Sequence, residues 1–249
     1  MTTYATLTST LFRTRLREPV GLFFSFIFAP SLVLILGLIF GNEPNPNFGG
    51  LGYIDATLPA FASVVVTLTG VLILPVNQLI LRESGALRRL RLTPLRPAVF
   101  LAADLTVNFV VGLIGIAAAL AVGILIFGVT LQGSTIGVLL AAALGLVAFL
   151  SLGYALSGLY PSSGAATGVG NVLMILLMLT SGAFVPLAVM PEGVRTVMEF
   201  SPVRYFVRLI EGLWLGGAWS ELLVPAAVLV GMTVVFGLLG TLLFRWDDV

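Results

Sequence analysis

The residues best equipped for chemistry lie between Arg82 and Pro97, in the stretch RESGALRRLRLTPLRP. It carries Arg82, Arg88, Arg89, Arg91 and Arg96 beside a single acid, Glu83. Guanidinium groups at this density recognise carboxylates, phosphates or lipid headgroups; they do not by themselves break bonds. Histidine and cysteine are both absent, which removes imidazole and thiolate metal ligands, Cys nucleophiles and His-based acid–base pairs. All twelve basic residues are arginine. A Walker A loop needs its lysine on the nucleotide phosphates, so this chain has no such site of its own.

The elements that must position this patch are set by composition. The chain is 59% hydrophobic and only 9% charged, with a mean hydropathy of +1.13. A soluble domain needs roughly 25% charged residues, so the chain belongs in a bilayer. Six apolar runs are long enough to cross a hydrocarbon core of about 30 Å: residues 20–41, 57–81, 98–128, 135–158, 167–187 and 222–244. The breakers GNEPNPNFGG, RLTPLRP, TLQGS and YPSSG separate the first five. The first run is too long for a cleavable signal segment and is followed by five more. Nothing reads as a soluble domain or linker, so residues 1–249 form one all-α transmembrane domain.

Arginine placement orients it. With the N-terminus inside, the inner segments hold Arg13, Arg15, Arg17, the five arginines of the patch and Arg245. The outer segments hold Arg195, Arg204 and Arg208. Nine against three puts both termini in the cytoplasm and the patch on the cytoplasmic side, between the second and third spans.

Two readings of the patch stand side by side. Arginines beside a span can do no more than fix topology and bind anionic headgroups. The order within the patch suggests a short amphipathic helix at about 82–93. Glu83, Leu87 and Leu90 fall on one stripe and Arg82, Arg88, Arg89 and Leu92 on another, before Thr93 and Pro94 end it. Such a helix suits a groove on another protein.

The long outer segment is too apolar for a solvated loop and too interrupted for a span. Ser201 and Pro202 give an N-cap and first-turn pair. Arg204, Arg208 and Glu211 then form a polar stripe against Phe206, Val207, Ile210 and Leu213 or Trp214. Two short helices are expected at about 191–200 and 202–215, dipping into the outer leaflet or lying on the headgroups. Within the spans, Asn77, Gln78, Asn171, Thr180 and Ser181 should face protein or a cavity. Asp104 and Asn108, four apart on the third span, are expected near the inner interface, with Asp104 paired to an arginine. Gly37 and Gly41, Gly164 and Gly168, and Gly212 and Gly216 are small-residue pairs suited to helix packing.

At this point the residues resemble a known family. The pattern Glu83-x-Gly85-x-Leu87-Arg88-Arg89-Leu90-x-x-Thr93-Pro94-Leu95 is similar to the cytoplasmic motif of ABC-2 type transporter permeases, especially the bacterial daunorubicin-resistance-like exporters. A second stretch, SGAFVPLAVMPEGVRTVMEFSPVRYFVRLIEGLW, resembles their segment between the fifth and sixth spans. The resemblance covers the whole chain. It implies a type V exporter-like fold: six spans, a coupling helix after the second and re-entrant helices before the last. It also implies an amphipathic interfacial helix at about 4–18, to which Arg13 and Arg17 contribute while Arg15 falls on the far side.

By the same resemblance, Glu83, Gly85, Leu87, Arg88, Arg89, Leu90, Thr93 and Pro94 dock a separate ATPase. Two copies of that ATPase would carry the ATP and Mg, while this chain would hold no cofactor. A second permease, identical or paralogous, would complete the pathway. The second and fifth spans line it in the family, which nominates Thr67, Thr69, Asn77, Asn171, Val172 and Thr180 as substrate contacts. Phe206, Arg208, Ile210 and Glu211 would form the outer gate. The expected protein is a bacterial inner-membrane exporter of an amphiphilic small molecule, drug or lipid. Export of a lipid-linked glycan, or a role in an assembly pathway, is the alternative within the family. A membrane-embedded enzyme is the alternative outside it, and the absence of His, Cys and Lys and of paired carboxylates in the spans speaks against it.

Overall fold

The computed structural model describes residues 3–46, 50–92, 95–184 and 190–243, and they are helical with no strand among them. In chain order the α-helices are α1 (Thr3–Arg15), α2 (Pro19–Leu22), α3 (Phe28–Phe40), α4 (Tyr53–Thr67), α5 (Leu74–Glu83) and α6 (Ala86–Arg91). They continue as α7 (Pro97–Phe127), α8 (Thr135–Leu159), α9 (Ser163–Leu179), α10 (Glu192–Met198), α11 (Pro202–Trp214) and α12 (Trp219–Leu243). Local chemistry sets several ends. The hydroxyls of Ser134 and Ser162 accept from the backbone N–H of Gly137 and Ala165, capping α8 and α9. Pro97 and Pro202 open α7 and α11, where a missing N–H costs nothing.

Two spans contain a widened, π-helical turn, at Phe23–Ile27 and Leu68–Ile73. Each lies just before a proline, Pro30 and Pro75, that cannot donate the regular backbone bond. Each also meets a glycine of a neighbouring span. A Cβ on Gly115 of α7 would stand 2.3 Å from the Ser25 carbonyl, and one on Gly153 of α8 would stand 2.2 Å from that of Gly70. Only glycine permits those approaches. The expected small-residue pairs are used unevenly. Gly37 seats the Phe127 ring and Gly212 seats Leu222, whereas Gly168 has open space around it.

Among the described residues five helices are long and apolar enough to cross a membrane: Phe23–Phe40, Tyr53–Glu83, Ala98–Phe127, Thr135–Leu159 and Ser220–Leu243. All five match expected runs within about four residues. The fifth expected run, 167–187, differs: α9 starts earlier and is 17 residues long, and residues 180–184 are not helical. Val185 to Val189 lie outside the described residues. Both Tyr53–Glu83 and α7 have 31 residues, about 46 Å of helix, which exceeds a hydrocarbon core of about 30 Å.

The chain's turns gather at two ends. One end, here the Glu83 end, holds the turn from α5 to α6 and the start of α9. At the other, the Trp214 end, the N–H groups of Gln132 and Gly133 donate to the Trp214 carbonyl and Tyr53 donates to the Phe184 carbonyl. The span Tyr53–Glu83 is the best-buried of the five, with α7, α8, α9 and α11 packed around it. Helix α1 lies across α7. Tyr4 meets Thr106 and Arg15 meets Asn108, so eleven residues of α1 correspond to two of α7.

Candidate functional site

The basic patch sits where the long second span ends. α5 closes at Glu83, Gly85 takes a positive φ of 67°, and the six-residue α6 follows. This is shorter than the expected helix over 82–93, because Gly85 breaks it after Glu83. Leu87 is 0% exposed, so its side chain packs against the chain's own bundle. Arg88 and Arg89 are exposed, and so is Leu92 at 86%. The surface offered outward therefore sets the cations Arg88 and Arg89 beside an apolar Leu92. The side chain of Leu90, and Thr93 and Pro94 altogether, lie outside the described residues.

Glu83 has a task inside the chain. Its two carboxylate oxygens accept from the backbone N–H and the hydroxyl of Ser163, both at 2.6 Å, at the first residue of α9. A carboxylate there satisfies a helix donor with no partner in its own helix and meets the positive end of the helix dipole. Sequence reasoning missed Ser163; its position directly after the Ser162 cap was the available signal.

A second cluster lies deeper at the same end. Asp104 of α7 accepts from the Gln78 side-chain amide at 2.8 Å and from the Tyr154 hydroxyl. The Asn108 amide donates to the Asp104 backbone carbonyl at 2.9 Å, and the Arg15 guanidinium donates to the Asn108 oxygen at 2.7 Å. The expected arginine partner thus reaches Asp104's neighbour Asn108, and through it α1 is tied to α7. Arg15, placed on the far side by sequence, turns inward: its side chain is 11% exposed. Arg82 donates to the Ser157 carbonyl at 3.4 Å. The network joins α1, α5, α7 and α8, and Tyr154 was its unforeseen member.

The nominated pathway residues separate into two groups. Thr67 and Thr69 are buried within the single chain, where α8 and α9 cover the widened turn, so in this conformation they face protein and line no open cavity. Their hydroxyls, with the Asn77 amide nitrogen, are buried without a hydrogen-bond partner among the described residues. On α9 the outcome differs. Val172 is 61% exposed and belongs to an outward stripe with Val169, Ile175, Leu176 and Leu179. Asn171 is half-buried on that stripe and donates to the Thr167 carbonyl. Thr180 shares a 2.7 Å hydrogen bond with Ser201, which ties the end of α9 to the start of α11.

At the Trp214 end, α10 and α11 occupy the expected positions. Ser201 stands at the N-cap of α11 without a side-chain capping bond, because its hydroxyl is used on Thr180. Phe206 and Ile210 are fully buried, and the Phe206 ring fills the notch at Gly145 of α8. Arg208 pairs with Glu199 at 3.0 Å and Arg204 with Glu211 at 3.5 Å. Burial pushes the Glu211 carboxyl above its ordinary value, and Arg204 opposes that shift.

The described residues form a helical bundle whose long apolar helices define a multi-pass membrane protein, with a cationic turn at one end. Its family follows from comparison: the ABC-2 type transporter family matches residues 2–214, and the chain belongs to it. Over 174 residues it is 28% identical to YvfS of Bacillus subtilis (strain 168), named as a transport permease, a match covering 67% of each chain. It is 24% identical over 181 residues to YbhS of Escherichia coli (strain K12), named as a multidrug ABC transporter permease. That match covers 72% of this chain and 48% of YbhS, so the chain spans about half of that relative's length.

Proposed function

We propose that this chain is the transmembrane subunit of an ATP-driven exporter that moves an amphiphilic small molecule, drug or lipid across the bacterial cytoplasmic membrane. The observation that carries this is α6. It stands at the end of a helix longer than a hydrocarbon core, and it turns Leu87 inward and Arg88 and Arg89 outward. A short helix held beyond the membrane with a cationic outer face suits an acidic groove on an ATPase. ABC-2 permeases work with such ATPases, and energy would come from two copies carrying ATP and Mg. The name of YbhS favours drug-like cargo.

The arginine bias supports cytoplasmic termini and a cytoplasmic Glu83 end. α9 runs from Glu83 at that end to Ser201 at the other, which supports a sixth crossing although its 17 residues reach only about 25 Å. Its outward apolar stripe suits a second permease, identical or paralogous, with the pathway between them. Phe206 and Ile210 would then hold the outer end shut. Replacing Arg88→Glu and Arg89→Glu together tests the assignment. The variant should insert into the membrane yet fail to co-purify a cognate ABC ATPase; undiminished co-purification would contradict it.

A further inference from the structure

The contact between Glu83 and Ser163 does more than finish a helix end. Glu83 is the last residue of α5, and only Ser84 and Gly85 separate it from α6. Ser163 is the first residue of α9. In the first turns of α9 Ala166 is buried, while beyond a Cβ placed on Gly168 there is open space, and beyond one on Gly164 only the Ser162 hydroxyl at 3.8 Å. Further along, Gly170 lies against Val71 and Leu72 of the widened turn that precedes α5. Both oxygens of an exposed carboxylate are thus committed to the one residue that begins the span with the outward apolar stripe.

We infer that this contact is the strut through which movement of α6 reaches α9, which makes Glu83 a positioning residue for transport and not a contact of the ATPase. The inference rests on the exporter reading above. A load on α6 acts first on the end of α5, because Leu87 packs α6 back onto the bundle. From there it has a path through hydrogen bonds to Asp104 and Tyr154, and a separate path through Glu83 to α9. The second acts at the first residue of the helix that carries the stripe of Val169, Val172, Ile175, Leu176 and Leu179. Without the strut, α6 would still dock and still drive α5, while the start of α9 would lag. The predicted signature is hydrolysis without its share of transport.

The test uses the complete permease–ATPase complex in vesicles, with a fluorescent amphiphilic dye as the probe cargo. Four variants are compared: Glu83→Ala, Glu83→Gln, Ser163→Ala, and Glu83→Ala with Ser163→Ala. Amide exchange at the start of α9 reads the strut itself, and dye moved per ATP hydrolysed reads its use. Glu83→Ala should raise exchange there, leave ATP hydrolysis near wild type and lower dye moved per ATP several-fold. Glu83→Gln should restore most of the coupling, since an amide can accept from the Ser163 N–H and donate to its hydroxyl. The double variant should be no worse than Glu83→Ala alone. The inference falls if exchange is unchanged in Glu83→Ala. It also falls if Glu83→Gln is as damaging as Glu83→Ala while Ser163→Ala is silent, the pattern of a charge met by a cation on the ATPase. A wild-type complex that moves no dye with ATP counts against the exporter reading, and the exchange measurement then decides the strut by itself.

Discussion

The two ends of the bundle are held together by different physics. At the Glu83 end the ties are polar: Asp104 with Gln78 and Tyr154, Arg15 with Asn108, and Glu83 with Ser163. At the Trp214 end the ties are mainly apolar, with Phe206, Ile210, Leu213 and Trp214 of α11 buried against α4, α8 and α12. Hydrogen bonds are directional and hold a geometry while a load passes through them. Apolar contacts are non-directional and can slide and reseal. The difference suits one end that transmits movement and another that opens and closes.

Truncating each end's ties should separate them. The largest effect is expected from Phe206→Ala. Removing a fully buried ring from the Gly145 notch should cost about 3–5 kcal/mol, read as a lower unfolding midpoint of the purified protein. With Ile210→Ala beside it, transport should change while ATP hydrolysis continues, because the Glu83 end is untouched. Asp104→Ala should cost less, about 1–3 kcal/mol, since the Gln78 and Tyr154 donors it strands can find other partners in the membrane. Asp104→Asn should recover most of that, because an amide oxygen still accepts; equal losses in the two variants would show that charge, not hydrogen bonding, holds this end. Arg208→Ala should be the smallest, about 0.2–1 kcal/mol, because its pair with Glu199 is well exposed. A loss as large as that of Phe206→Ala would mean the Trp214 end is also polar in character.

Much of this was legible in the sequence because hydrophobic length is a strong signal. The long helices follow their apolar runs, and Pro202 and Ser201 marked the start of α11 correctly. What stayed hidden were facts of pairing. Period alone put Leu87 on an apolar stripe without saying that Leu87 folds back onto its own chain. It put Arg15 on the side of α1 away from Arg13 and Arg17 without naming its target, because Asn108 belongs to a helix more than ninety residues away. Glu83 was read as part of the motif it begins, yet Gly85 separates it from α6 and Ser163 claims it. Thr67 and Thr69 were read as polar points on a pathway, and the close approach of Gly70 and Gly153 buries that turn within the single chain. α9 falls short of its run because residues 180–184 leave the helix to meet α11 through Ser201.

The central claim is that a separate ATPase drives transport through α6. The most direct measurement is ATP-dependent uptake of a fluorescent amphiphilic dye into inverted vesicles carrying the permease with a cognate ABC ATPase, wild type against the paired Arg88→Glu and Arg89→Glu variant. The account predicts uptake that needs ATP in the wild type and is lost in the variant. Wild-type uptake rates in the variant, or uptake that proceeds equally without ATP, would contradict it.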